Sequence, residues 1–538
     1  MAWSGGSSTS AGSPSARWPP SAWCAASGCP RRIASRPSAS PRTDRARAAP
    51  RTPMQATTTD DLSTRGAVAE VWRIAWPTVL TMVSYTIMQF VDALMVAQLG
   101  PVEVAAQGNG GVWSWAVIFS VVGVLTVVNT FVSQAVGARR PHEVARYAWA
   151  GVWLALAAYA VILVPLGLLL PSAFALMGHS PRTTELESQY ATVLVFGSVV
   201  TVLGKSMSHF FFGIQRPRVI AAAAIAGNVV NVALNYALIY GEEGLPSFGL
   251  PGIPGMAAMG VRGAAIATVI GTAVELSVPL ALFLGRRMDR EYGIRRAWRP
   301  DLAAMRDVVR LGTPASLQQG SEILTWAIFM SVLVGRFGDV ALSAGWSTLR
   351  YMHLSFMPAV GFGIAATSLV GRHIGAGRPD LAASRARIAL AIAVAYMGAC
   401  GILMLVFRGP MISVFASGAR TAPEVAAQVV EAGASFMVAA AFFQVFDAVG
   451  IVLLGALRGA GDTLWPGIAT VILSWSIIVG GGWLLVERAP DLGPLGPWIA
   501  ASAYIAVLSL VLAVRWKRGA WRTIRVLETP EEEAARAR

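Results

Sequence analysis

Apolar positions in this chain come in long blocks rather than in alternation. From Val71 onward twelve such blocks follow, at about 71–98, 112–136, 145–170, 188–213, 218–240, 260–285, 311–335, 347–371, 384–407, 431–456, 463–486 and 497–516. Each is long enough to cross a bilayer as a helix, which takes about 17–25 residues. Strands of a membrane barrel would alternate apolar with polar, and these blocks do not. The pattern predicts an all-α polytopic membrane protein with twelve transmembrane helices.

Composition agrees. Of 538 residues, 55% are hydrophobic and 13% charged, against about 45–50% and about 25% in soluble domains. The formal net charge of +14 would suit a nucleic-acid partner, but the charges sit at block ends, as topology signals do. Basic clusters follow the even-numbered blocks: Arg139, Arg140 and Arg146; Arg216 and Arg218; the stretch 286–310; Arg372, Arg378, Arg385 and Arg387; and "RWKRGAWR" after the last. By the positive-inside rule these loops and both termini are cytoplasmic, in a cell (inner) membrane. Residues 1–65, rich in Ser, Ala, Arg and Pro, cannot build a core. They read as a disordered leader or as a start assigned too early, with Met54 the true one. Cys24, Cys29 and Cys400 form no disulfide framework or zinc set.

The chain also repeats itself. "RIAWPTVL" (73–80) returns as "RLGTPASL" (310–317), "QAVGARRPHEVAR" (134–146) as "RHIGAGRPDLAAS" (372–384), and "FFGIQRP" (211–217) as "LLGALRGAGDT" (453–463), at a spacing of roughly 237–242 positions. Six helices separate the copies, so both start on the same side, as parallel repeats of secondary transporters do. Two pseudo-symmetric six-helix lobes are expected, 66–285 and 311–516. A basic inter-lobe loop, 286–310, joins them, and a cytoplasmic tail, 517–538, follows.

Charged groups inside membrane helices cost about 2.5–3.5 kcal/mol at the helix centre on insertion scales, so those present ask for a role. They are Asp92, Lys205, His209, Glu275, Glu322, Arg350, His353 and Asp447. Tyr85, Met88 and Gln89 share a helical stripe with Asp92. Asn228, Asn231 and Asn235 form a stripe in the fifth block, and Thr268 lies four residues after Ala264 in the sixth. A carboxylate, amide oxygens and a Thr hydroxyl make a hard oxygen site for a small cation or a proton. In the second lobe Gln318, Gln319, Glu322, Thr325, Trp326 and Phe329 share one broad face, and Phe443, Gln444 and Asp447 another. Acids beside aromatic faces suit an organic cation. For the Asn ladder the competing reading is helix-packing glue, and for the aromatics an ordinary core stripe. Position 92 corresponds to about 329–330 in the second copy, where "IFMSV" is apolar, so Asp92 is not shared scaffold. "VLGKSMSH" lacks Walker A spacing, and "GFGIAA" lies inside an apolar block. No metalloprotease, paired-CxxC or acyl-transfer pattern appears. The chain reads as no enzyme, with no cofactor, driven by an ion gradient.

These residues resemble the multidrug and toxic compound extrusion (MATE) family, in its NorM-like bacterial branch, over about 66–516. The signs are Pro77 with "VDALMVAQLG", "QAVGARRPHEVAR", "GNVVNVALNYALIYG", "GVRGAAIATVIG", "LGTPASLQQGSE" and "FDAVGIVLLGALRGAGDT". The resemblance implies a monomeric antiporter that exchanges Na+ or H+ for an organic cation by rocking two bundles around a central cavity. By position Asp92 looks like the coupling acid of the first helix. Asn231, Thr268 and the Ala264 carbonyl match its companions, and Glu322 and Asp447 match the second-lobe acids. Na+ is expected at Asp92 or at Glu322/Asp447. The expected substrate cavity takes in Tyr85, Gln89, Asn228, Asn235, Gln319, Trp326, Phe443 and Gln444. Some relatives carry an Asp where Asn235 stands, so this first-lobe site has one charge fewer. A lipid-linked oligosaccharide flippase of related architecture and an organic-acid exporter are the alternatives. Lys205 and Arg350 speak for the flippase.

Overall fold

The structure, a computed structural model, describes residues 64–177, 180–245, 251–416 and 423–527. The leader before residue 64 and the tail after 527 lie outside the described residues. Among the described residues twelve helices are long and apolar enough to cross a membrane: α1 Thr64–Ala97, α2 Val102–Gly137, α3 Pro141–Leu176, α4 Pro181–Gly213, α5 Pro217–Glu243, α6 Gly260–Phe283, α7 Leu302–Phe337, α8 Asp339–Gly375, α9 Pro379–Val406, α10 Pro423–Ala460, α11 Leu464–Arg488 and α12 Leu495–Arg518. The twelve blocks are all there, and most are longer than hydropathy alone suggests. Polar first turns continue the helices beyond the apolar stretch. The basic stretch 286–310 is only partly a loop: it holds a short helix, Arg286–Tyr292, and the start of α7.

The repeat is visible in how helices end. After α2, α4, α8 and α10 the chain reverses through the same turn, with Arg139, Gln215, Gly377 and Gly461 at positive φ. In each, the next residue's N–H reaches back five residues: Arg140 to Ala135, Arg216 to Phe211, Arg378 to His373 and Asp462 to Leu457, at 2.8–3.0 Å. This is the Schellman cap, which satisfies the last carbonyls of a helix. Pro141, Pro217 and Pro379 then begin the following helices, where a missing N–H costs nothing.

The two halves of the chain exchange their first turns. Val71, Ile74 and Ala75 of α1 are buried in a core built otherwise from second-half residues such as Phe362, Phe443 and Trp498. Reciprocally, Ala304 and Val308 of α7 are buried with first-half Phe131, Tyr147 and Phe283. Two polar contacts follow the same exchange. Arg385 Nε of α9 lies 2.6 Å from Glu70 Oε2 of α1, with His373 Nε2 of α8 at 3.6 Å from Oε1. Tyr147 Oη of α3 donates to Asp307 Oδ2 of α7 at 3.3 Å.

The ends of α2 and α8 meet face to face. A methyl at Gly137 would collide with the Arg372 carbonyl, and one at Gly375 with the Gln134 carbonyl. These are the same two positions, one repeat apart. Around them Gln134 Nε2 donates to Gly459 O (3.0 Å), Thr130 Oγ1 to Arg458 O (2.9 Å) and Ser368 Oγ to Phe212 O (2.6 Å). The halves are thus tightly sealed at the end that carries the basic loops.

Candidate functional site

Above that seal, polar side chains are arranged in layers along α1 and α7. In the first half, Asn228 Nδ2 of α5 donates to Ser84 Oγ (2.6 Å). Next, Tyr85 Oη donates to Glu275 Oε1 of α6, and Lys205 Nζ of α4 stands 4.2 Å from the centre of the Tyr85 ring. Two turns further along α1 lies Asp92, which is 8% exposed. Its Oδ1 accepts from Asn235 Nδ2, which also reaches Asn231 Oδ1 at 3.3 Å. Asn231 Nδ2 lies 3.5 Å from Thr268 Oγ1, whose hydroxyl donates to Ala264 O at 3.0 Å. The side-chain amide oxygen of Asn235, Oδ1, is buried without a hydrogen-bond partner among the described residues. An unsatisfied acceptor beside a buried carboxylate is costly unless a proton or cation can join them.

Asp92, Asn231, Asn235, Thr268 and Ala264 therefore form one connected oxygen-rich cluster across α1, α5 and α6. Tyr85, two turns before Asp92 on the same helical stripe, joins the Glu275–Lys205 layer. Gln89 is exposed. Among the described residues no group of three or more His, Cys, Asp or Glu side chains converges as a metal site.

In the second half Glu322 Oε1 of α7 accepts from Tyr504 Oη of α12 at 3.0 Å. Asp447 and Arg458 of α10 both lie within electrostatic reach of Glu322. Thr325 Oγ1 donates to the Glu322 carbonyl at 3.0 Å. Trp326 is half-buried and edge-on to Phe329, with ring centres 5.3 Å apart. Gln319 is half-buried. Phe443 and Gln444 are fully buried. Gln444 Oε1 accepts from Ser355 Oγ (3.0 Å), and its Nε2 lies 3.6 Å from Met404 Sδ. That pair sits inside the helix packing rather than on an open wall.

Several residues of these networks escape a reading of the sequence. Tyr504 and Arg458 are single polar positions in apolar runs, with nothing in the spacing to link them to Glu322. Glu187 is fully buried, held by Asn109 Nδ2 at 2.9 Å. It sits one residue outside the apolar block that marks α4.

Known proteins resemble this chain over most of its length. A family model described as MatE matches residues 77–237 and 318–483, one span in each half. The multidrug resistance protein NorM of Burkholderia vietnamiensis is 30% identical over 446 residues, covering 82% of this chain and 92% of that protein. A probable multidrug resistance protein NorM of Pseudomonas aeruginosa is 30% identical over 466 residues, covering 83% and 89%. A solved structure described as the outward-facing conformation of a multidrug resistance MATE family transporter superposes with a TM-score of 0.75. It is 23% identical, with 87% of this chain and all of that one covered.

Proposed function

This chain belongs to the MatE family of multidrug efflux transporters, and on that premise we propose that it exports organic cations in exchange for H+ or Na+ by alternating access. It is a multi-pass membrane transporter of small organic compounds, not an enzyme. In the proposed reading residues 66–285 and 311–516 are the two moving lobes. Both termini are cytoplasmic, the membrane is the inner one, and a monomer suffices. With the basic-loop end sealed, access to the site in this conformation would come from the outside.

One observation carries the coupling role: Asp92 is buried on α1 beside Asn235 Oδ1, partnerless among the described residues, in a cluster whose repeat counterpart is apolar. A proton or Na+ entering from outside would bridge Asp92 to Asn235, with Asn231, Thr268 and the Ala264 carbonyl as further oxygens. Glu322 and Asp447 would hold the organic cation or a second coupling ion. Half-buried Gln319 and Trp326 would line the cavity with Tyr85, Asn228 and exposed Gln89. Phe443, Gln444 and Asn235 would shape it from behind. The coupling ion is cargo, and no cofactor is needed. One charge crossing about 100 mV supplies about 2.3 kcal/mol, roughly a fortyfold gradient.

The second reading is an anionic cargo, a lipid-linked oligosaccharide or an organic acid: Lys205 Nζ lies 4.2 Å from the Tyr85 ring centre with no ion-pair partner among the described residues. Proteoliposomes loaded with a cationic dye decide between the readings when driven separately by a pH gradient and a Na+ gradient. Dye movement under one gradient, lost in Asp92→Asn, is the expected result. Full gradient-driven efflux by Asp92→Asn would remove the role given to Asp92. Transport of organic anions in place of the dye would establish the alternative.

A further inference from the structure

Two surface cavities open at the basic-loop end, and the repeat relates them. One, about 400 Å³, lies between the start of α3 and the chain leading into α7, with His142, Arg146, Arg299 and Asp301 on its wall. The other, about 560 Å³, lies between the start of α9 and the end of α12, with Asp380, Arg387, Trp516, Lys517, Arg518 and Arg522 on its wall. Each is thus formed by the third helix of a half and the chain that follows the sixth.

Their electrostatics differ. In the first, Arg146 is consumed within the protein, with Nε 2.6 Å from Asp301 Oδ2 and Nη1 3.4 Å from Glu143 Oε2, and Arg299 is the one arginine on that wall with no ion-pair partner among the described residues. In the second, only Arg522 finds an acid, Asp380 at 3.0 Å, and both are exposed. Such a pair is worth little. Arg387, Lys517 and Arg518 have no ion-pair partner among the described residues. Three cations on one cavity wall with no acid partner among the described residues repel one another, and an anion between them relieves this.

The setting says which anion. The cavity sits where α9 and α12 leave the span. Trp516 stacks on Trp521 at 4.1 Å, and Trp521 Nε1 donates to Trp516 O at 2.9 Å. Trp521 is buried, whereas half-buried Trp516 stands at the end of α12, where tryptophan serves as an interfacial anchor. On α12, Leu510 and Val514 are 65% and 41% exposed, an apolar track for acyl chains leading away from the cavity. Basic pockets between transmembrane helices on the cytoplasmic side suit lipid headgroups. We propose that this cavity binds the phosphate of an anionic phospholipid, with Arg387, Lys517 and Arg518 around the headgroup and the acyl chains along α12.

The test uses the full chain purified in neutral detergent. It is titrated with phosphatidylglycerol or with phosphatidylcholine of the same acyl chains, and bound lipid is counted by native mass spectrometry. Phosphatidylglycerol should bind preferentially. Arg387→Gln/Lys517→Gln/Arg518→Gln should weaken that binding at least about tenfold. Arg387→Lys/Arg518→Lys should retain it, and so should a charge-matched control, Arg286→Gln/Arg287→Gln/Arg290→Gln. The thermal transition without lipid monitors folding. If the triple variant lacks one, Lys517→Gln alone should weaken binding about fivefold. The proposal is overturned if the control loses as much affinity as the triple variant. It is equally overturned if both lipids bind alike, or if millimolar inorganic phosphate displaces phosphatidylglycerol, which would mark a soluble-phosphate site.

Discussion

The two halves place the same three kinds of group on the same three helices, but they exchange two of them. In the first half, tyrosine is on the first helix and glutamate on the sixth: Tyr85 donates to Glu275, with Lys205 of the fourth helix beside the ring. In the second half, glutamate is on the first helix and tyrosine on the sixth: Tyr504 donates to Glu322, with Arg458 of the fourth helix nearby. The scaffold therefore asks for a hydrogen bond across those helices without dictating its direction. What differs is the next layer. Asp92 and its amides occupy it in the first half. In the second, Phe329 stacks edge-on between Trp326 and Trp498, with ring centres 5.3 and 5.2 Å away. A layer present in both halves cannot set them apart; an unshared one is where function can differ between them.

Asp92→Asn should have the largest effect on transport, abolishing gradient-driven dye movement, while Glu322→Gln retains measurable coupling. Equal loss in both would mean that the halves share the coupling task. Stability should respond most at the exchanged first turns. Arg385→Gln leaves Glu70 buried without its guanidinium and should cost about 3–5 kcal/mol. Tyr147→Phe, at the corresponding contact, removes a neutral donor and should cost about 1 kcal/mol. Chemical denaturation in detergent reads both, and equal costs would break the asymmetry. Gly137→Ala and Gly375→Ala sit at mirrored positions and should each cost about 1–3 kcal/mol by overpacking the seal.

The smallest expected effect is at Asp301, which caps α7 through Ala303 N and Ala304 N at 2.9 and 3.0 Å. Partial burial pushes its carboxyl up, but the Arg146 guanidinium and those two amides outweigh this and hold it below the usual carboxylate range. Its contribution is therefore complete above the unfolded value, about 3.9, and is lost as pH falls through the lower folded value. The melting-temperature gap between wild type and Asp301→Asn should be constant near neutrality and close below about pH 4. Arg522 and Asp380, exposed in the related cavity, should show no such gap when Asp380 becomes Asn.

Hydropathy and repetition alone determined the twelve helices and their two-copy order. A membrane span must be apolar over a fixed length, and that requirement is written locally in the chain. The same holds for Asp92, Glu322 and Asp447, since an acid in such a run stands out wherever it points. The Asn231–Asn235–Thr268 association was also legible, because it follows from spacing along two helices. Only the tertiary structure decided which acids share a layer and which tyrosine serves which glutamate. It also decided that α1 and α7 exchange their first turns, that Glu70 meets Arg385, and that one of two related cavities gathers three cations without an acid partner among the described residues. Those facts depend on the rotation and offset of helices far apart in sequence. Packing between whole helix faces sets both, and no local pattern of residues carries them.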